Sequence, residues 1–252
     1  MPGSNFAFIV ASLHGRSGKT LLARLLADYL ILSGPRPLIF DSDAVERTLC
    51  SCFPYEAIVV DLADVRGQMV LFDTLAKPFV EMRVVDVAHH SFRKFFDLMR
   101  DTDFVEEAKL NDIEPVIFYL VGSTPESFEE GRQLRERFSD CRFVVVENAH
   151  FATVNDSVRR SSGFRALARH DLHMVMPSFS PIFADVISNP TLSLSEVLSQ
   201  PMSLSDGPAA TVGLSLDART TLRGWLVRMF QEIHRITSLL EEPADTAVAD
   251  WD

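Results

Sequence analysis

Three cysteines in 252 residues, Cys50, Cys52 and Cys141, are too few for a disulfide framework, and Cys50-x-Cys52 alone is a poor zinc signature. They are expected to be reduced thiols, which suits a cytoplasmic protein. No apolar run reaches the roughly 20 residues of a membrane-spanning helix. The first apolar run, 6–11, lacks the basic stretch that opens a secretory signal, so it is better used as a buried strand. Positive charge is also scarce. The 24 Lys and Arg against 35 Asp and Glu leave a net charge of −11, which disfavours a surface that wraps nucleic acid through its phosphates. No internal repeat is visible. What remains, 47% hydrophobic and 23% charged, is the composition of a folded protein long enough for one sizeable α/β domain.

Apolar runs alternate with helical patterns, as in a mostly parallel sheet covered by helices. Strands are expected at 6–11, 37–40, 57–60, 83–88, 114–121, 142–146 and 173–176. Helices are expected at 19–32, where Ser33-Gly34-Pro35 ends the pattern, and at 68–79, 92–99, 129–138, 191–200 and 217–240. Ser123-Thr124-Pro125-Glu126 has the form of a helix start. The last helix carries Leu222, Trp225, Leu226, Met229, Phe230, Ile233, Ile236 and Leu240 on one broad face. The acidic residues that follow would repel an anionic membrane, so this face is expected to pack on the core or on a second subunit. A single domain over 1–240 and a flexible acidic tail over 241–252 complete the layout.

The stretch with most chemical content is FAFIVASLHGRSGKT, residues 6–20. An apolar strand ends in a loop holding Gly15, Gly18, Lys19 and Thr20, and Leu21, Leu22, Leu25 and Leu26 begin a helix at once. This is the layout of a phosphate-binding P-loop, in which backbone N–H groups and the helix N-terminus face an anion. Lys19 would reach the β- and γ-phosphates of a nucleotide, and the Thr20 hydroxyl would bind Mg²⁺. Two expected strands end in acids, 37–40 at Asp41-Ser42-Asp43 and 57–60 at Asp61, and ligands bind at the carboxyl ends of parallel strands. An acid can also simply end a strand, and Asp-Ser-Asp is an ordinary turn sequence. His89 and His90 are adjacent and would point to opposite faces of a strand, with no matching cluster nearby, so they are not read as metal ligands.

The usual loop spacing would put a glycine at Leu13. Shifted by one, His14, Gly15, Arg16, Ser17, Gly18, Lys19 and Thr20 match four of the seven positions of K-G-G-x-G-K-T. This resembles the deviant Walker A loop of the ParA/MinD group of P-loop ATPases, with His14 at the signature lysine and Arg16 at a glycine. The resemblance covers 6–198, with its specific motifs in 13–67. It implies a three-layer α/β/α P-loop NTPase fold with a mostly parallel sheet. It also implies that His14, Gly15, Arg16, Ser17, Gly18, Lys19, Thr20 and Leu21 cradle Mg²⁺-ATP. Asp61 would be the Walker B acid, holding Mg²⁺ through water, with 61–67 as switch II and Gly67 as its pivot. In the switch I segment, Asp41 would join the Mg²⁺ shell and Asp43 would position the attacking water beside the catalytic Lys19. Asn148 and Pro177 would hold the adenine.

The function implied is a weak ATPase that dimerises around nucleotide to position or segregate a cargo, which could be a plasmid, a chromosome or a protein complex. Arg159, Arg160, Arg165 and Arg169 could touch DNA or an acidic partner, or form a solvated helix face. Two other readings stay open. His14 and Arg16 suit a nucleotide-binding adaptor or regulator that hydrolyses almost nothing. A small-molecule kinase would need an arginine-rich lid, for which Arg132, Arg135 and Arg137 are the candidates.

Overall fold

The computed structural model describes residues 5–34, 36–78, 82–151, 156–168, 172–184 and 216–242, with the single positions 187, 189, 190 and 194. Seven strands form one sheet: β1 (Asn5–Ala11), β2 (Leu38–Asp41), β3 (Ala57–Val59), β4 (Met82–Asp86), β5 (Ile113–Val121), β6 (Arg142–Asn148) and β7 (Leu172–Met176). Their order is β3-β2-β4-β1-β5-β6-β7, and every pairing is parallel. The sheet is therefore parallel throughout, where the sequence predicted a mostly parallel one.

The strands are near-continuous apolar runs because both faces are covered. Alternate side chains feed two separate cores. Phe6, Phe8 and Val10 of β1 join Val116, Phe118 and Leu120 of β5 on one face, while Ala7, Ile9 and Ala11 join Ile117, Tyr119 and Val121 on the other. The first face is covered by α1 (Lys19–Ser33) and α9 (Leu216–Glu241). The second is covered by α3 (Val65–Leu75), α4 (Phe92–Asp101), α5 (Phe104–Leu110), α6 (Pro125–Arg137) and α8 (Ser162–Ala168). Two short helices, α2 (Thr48–Cys52) and α7 (Asp156–Arg159), lie in connections. The layers are thus helix, sheet, helix.

The helix start at Thr124 is built as its sequence suggests. The Thr124 hydroxyl accepts from the Ser127 N–H, and Pro125 takes the first turn. The helix expected at 68–79 instead begins at Val65, because the Asp64 carboxylate caps it by accepting from the Gly67 N–H. Helices α2, α5, α7 and α8 were not anticipated. At four to seven residues, they are too short to show a 3.6-residue period. The helix expected at 191–200, apart from buried Leu194, lies outside the described residues, as do Arg169 and the tail from 243 onward.

The broad apolar face of α9 packs inward. Leu222, Trp225, Leu226, Met229, Ile233, Ile236 and Leu240 are buried in the first core, against α1 and β7. The Trp225 indole N–H donates to the Pro177 carbonyl at 2.9 Å, tying α9 to the loop after β7. Among the described residues no helix is long and apolar enough to cross a membrane. Replacing Trp225 by alanine is expected to lower unfolding stability by about 3–5 kcal/mol, the usual cost of truncating a buried aromatic. Urea unfolding of the two proteins checks this, and a loss under about 1 kcal/mol would contradict the inward packing of α9.

Candidate functional site

The carboxyl ends of β1, β4 and β2 sit side by side, and the loop from Ser12 to Gly18 closes over them. Gly18 adopts φ 93°, a left-handed conformation open to glycine, and stands at the N-terminus of α1 with no side-chain cap. The first-turn N–H groups of α1 thus have no side-chain cap among the described residues, and such groups are suited to an anion. Arg16 is also left-handed at φ 56°, which explains why glycine suits this position in loops of the same shape. The Ser17 hydroxyl is buried without a hydrogen-bond partner among the described residues. Leu21 is half-buried in the first turn of α1.

Lys19 is buried, and its ammonium donates back to the His14 carbonyl at 3.1 Å. Burial pulls its pKa down from the ordinary lysine value, while the nearby Asp86 and Asp43 carboxylates push it up. The Thr20 hydroxyl donates to Asp86 Oδ2 at 2.6 Å. Asp86 ends β4, the strand hydrogen-bonded to β1, and is 4% exposed. Desolvation pushes its pKa up to about 7; the Thr20 hydrogen bond and Lys19 act downward, and Asp41 and Asp43 add to the rise. Its second oxygen, Oδ1, is buried with no partner among the described residues.

The carboxylate that meets Thr20 is Asp86, at the end of β4, and not Asp61. Asp61 follows β3, the edge strand, and β2 and β4 lie between it and β1. Thr20 is held at Asp86 on β4, and the two strand spacings from β4 to β3 come to about 10 Å, too far for Asp61 and Thr20 to share one ion at metal–oxygen distances near 2 Å. The exposed Asp61 carboxylate instead accepts from the Ala63 N–H at 2.7 Å, forming a turn. Gly67 stands at the β3 edge of the sheet, away from the loop. It lies in the first turn of α3, where an added Cβ would overlap the Asp61 carbonyl, so the residue permits close packing at the sheet edge. The segment that follows the loop-side acid is 87–91, a connection leading into the 3₁₀ turn His89–Ser91. Buried Ser42 pins this connection by accepting from the Ala88 N–H at 2.8 Å and donating to the Asp86 carbonyl at 3.0 Å.

Asp41 is beside the site but committed. It pairs in register with Asp86 across β2 and β4. Its Oδ1 accepts from the Asp43 N–H and its Oδ2 from the Cys50 N–H, both at 3.0 Å. Burial raises its pKa, opposed by these backbone donors. Through these two bonds, one on each oxygen, it holds the turn to α2. Asp43 Oδ1 accepts from the Val45 and Glu46 N–H groups at 3.1 and 3.0 Å.

Asn148, at the end of β6, is 3% exposed and acts as a strut: its amide donates to the Ser17 carbonyl at 3.0 Å, and its Oδ1 accepts from the His150 N–H at 3.1 Å. One donor and one acceptor of the amide are thus used to brace the loop. Pro177 follows β7 and gives its carbonyl to Trp225. His14 is exposed and turned sideways, with its Nε2 3.5 Å from the Thr124 hydroxyl. The arginines are also partly accounted for. Arg159 pairs at 2.8 Å with buried Glu147, which His173 also contacts at 2.8 Å. Arg132 pairs with Glu129 and Glu136, and Arg137 with Asp97, in the half of α6 far from the loop. Arg160 and Arg165 are exposed.

Fold and loop together define a three-layer α/β/α fold of the P-loop NTPase kind. No family model matches this chain, and no curated protein does. Among solved structures it is similar to a nucleotide-binding protein from Archaeoglobus fulgidus in complex with ADP, with TM-score 0.50 and 12% identity over 78% of this chain and 89% of that one. The MinD cell division protein of Aquifex aeolicus aligns over 90% of this chain and 98% of its own, at TM-score 0.44 and 16% identity. A ParA family ATPase from Chlorobium tepidum aligns over 90% and 99%, at TM-score 0.43 and 12% identity. The likeness is one of fold.

The raised Asp86 gives a pH prediction. Its folded value of about 7 exceeds the ordinary 3.8, so between these limits the folded chain holds a proton that the unfolded chain has lost. Stability without ligand should therefore be highest at acid pH with respect to this group and fall as pH rises from about 4 to about 7. Asp86→Asn should flatten that slope and raise the melting temperature at pH 8, by about 2–4 °C per kcal/mol recovered. Melting curves of both proteins across this range test it; an unchanged slope would contradict the buried, uncompensated carboxylate.

Proposed function

We propose that the chain binds Mg²⁺-ATP at this loop and hydrolyses it slowly. The observation that carries the reading is the Thr20–Asp86 pair, with Asp86 Oδ1 left without a partner among the described residues, beside a buried lysine. A desolvated carboxylate with a spare oxygen, next to a hydroxyl and under a row of backbone donors, suits a magnesium ion carrying nucleotide phosphates. Among the described residues, no group of three or more His, Cys, Asp or Glu could hold a metal ion. Magnesium at phosphate sites needs only one or two protein ligands, because phosphate and water supply the rest. Thr20 and Asp86 would hold it. When bound, the ion would neutralise charge on the phosphates.

The chain's own residues would do the remaining work. The loop N–H groups from Gly15 to Leu21 would receive the phosphates, and the Ser17 hydroxyl would find an acceptor. The Lys19 ammonium would exchange the His14 carbonyl for phosphate oxygen, stabilising the charge that builds up on transfer. Asp43 faces Lys19 closely enough to affect its charge, and is our candidate for orienting the attacking water. Nucleotide-dependent homodimerisation, a cargo or adaptor protein as partner, and a cytoplasmic setting belong to the same proposal, on the resemblance of the loop.

The adaptor reading has an observation in its favour. His14 lies against Thr124 of its own chain, and as a short side chain it does not supply what a lysine could extend to a partner. Calorimetry and phosphate release with ATP and Mg²⁺ separate the readings. Lys19→Ala should weaken ATP binding at least tenfold, since a charge-assisted hydrogen bond contributes about 1.5–3 kcal/mol. Unchanged affinity would contradict the cradle. Tight binding with no phosphate release by the wild-type chain, alone or with DNA, would favour the adaptor.

A further inference from the structure

We propose that His89 is a terminal-phosphate contact, donating an imidazole N–H to the γ-phosphate of the bound nucleotide and so distinguishing triphosphate from diphosphate. The inference rests on the nucleotide reading above and adds to it a residue outside the loop.

The position of the phosphate chain's far end follows from Lys19. Its Nζ lies 3.1 Å from the His14 carbonyl. A lysine that serves the β- and γ-phosphates from there puts the γ end at the His14–Gly15 stretch, while the helix end of the loop, Gly18 to Leu21, holds the inner phosphates. The His89 ring stands at this same stretch. A methyl group built on Gly15 would lie 3.4 Å from its Cγ, Cδ2 and Nδ1, so ring and loop are in van der Waals reach. His89 arrives there because β4 pairs with β1: Asp86 sits beside Thr20, and three residues later the chain passes Gly15.

The ring is also available. It is exposed, and among the described residues no hydrogen bond to it is present. His90 crosses it edge-on, with centroids 5.5 Å apart, and limits its swing on one side. The approach is anchored, since Val87 N–H donates to the Val10 carbonyl at 3.0 Å and Ala88 N–H to the Ser42 hydroxyl. A neutral imidazole always has one N–H to donate, and a charged one has two, so the contact does not depend on protonation. His14, the nearest alternative in the loop, is turned to Thr124 on the β5 side.

The test is calorimetric binding of ATPγS and of ADP, each with Mg²⁺, to the wild-type chain and to His89→Ala, His89→Gln and His90→Ala. His89→Ala should weaken ATPγS about tenfold or more and leave ADP within about twofold, as expected for one hydrogen bond to a charged group. His89→Gln, which keeps an N–H donor, should recover most of the difference. His90→Ala should leave the ratio of the two affinities unchanged. Equal weakening of both nucleotides, no weakening of either, or the loss appearing in His90→Ala instead would overturn the assignment. A wild-type chain that binds neither nucleotide would overturn the nucleotide reading, and this contact with it. Unchanged melting temperatures confirm that the exposed-site variants are folded.

Discussion

The hydrogen bond from the Thr20 hydroxyl to the Asp86 carboxylate joins the first turn of α1 to the end of β4, and the site is organised around it. It exists because β4 inserts between β1 and β2 in the sheet, although β2 and β3 precede it in the chain. That insertion brings Asp86 under the loop, Asp41 opposite it in register, and His89 to Gly15. Parallel pairing is what makes this possible, because it puts every strand's carboxyl end on one edge.

The arrangement is costly for the chain without ligand. Asp41 and Asp86 are buried side by side, one satisfied by backbone N–H groups and the other with an oxygen unpartnered among the described residues. Lys19 is close enough to offset part of this charge but donates to a carbonyl. Burial of this kind weakens a fold unless something compensates it. Perturbed carboxylates collected at a strand edge, beside open helix N–H groups, are therefore read as the mark of a ligand site.

Much of the fold was legible. The central strands read as continuous apolar runs because both faces are buried, and α1 follows its loop at once. The helix start at Thr124 carried its own capping signal. The short helices α2, α5, α7 and α8 were not legible, since a helix of one or two turns shows too little periodicity. The site was half legible. Gly18, Lys19 and Thr20 form a local motif whose spacing is its geometry. Asp61 and Asp86 both end apolar strands, and only strand order separates them.

The sequence by itself determined the alternation of elements, the loop and the apolar face of α9, because each depends on residues within a few turns of one another. Only tertiary structure decided which acid meets Thr20, that Asn148 braces Ser17, that His14 turns toward Thr124 and that His89 reaches Gly15. Those contacts join residues far apart in the chain. They are set by the order of strands in the sheet, which follows from how two cores are filled at once and leaves no local trace in the residues it brings together.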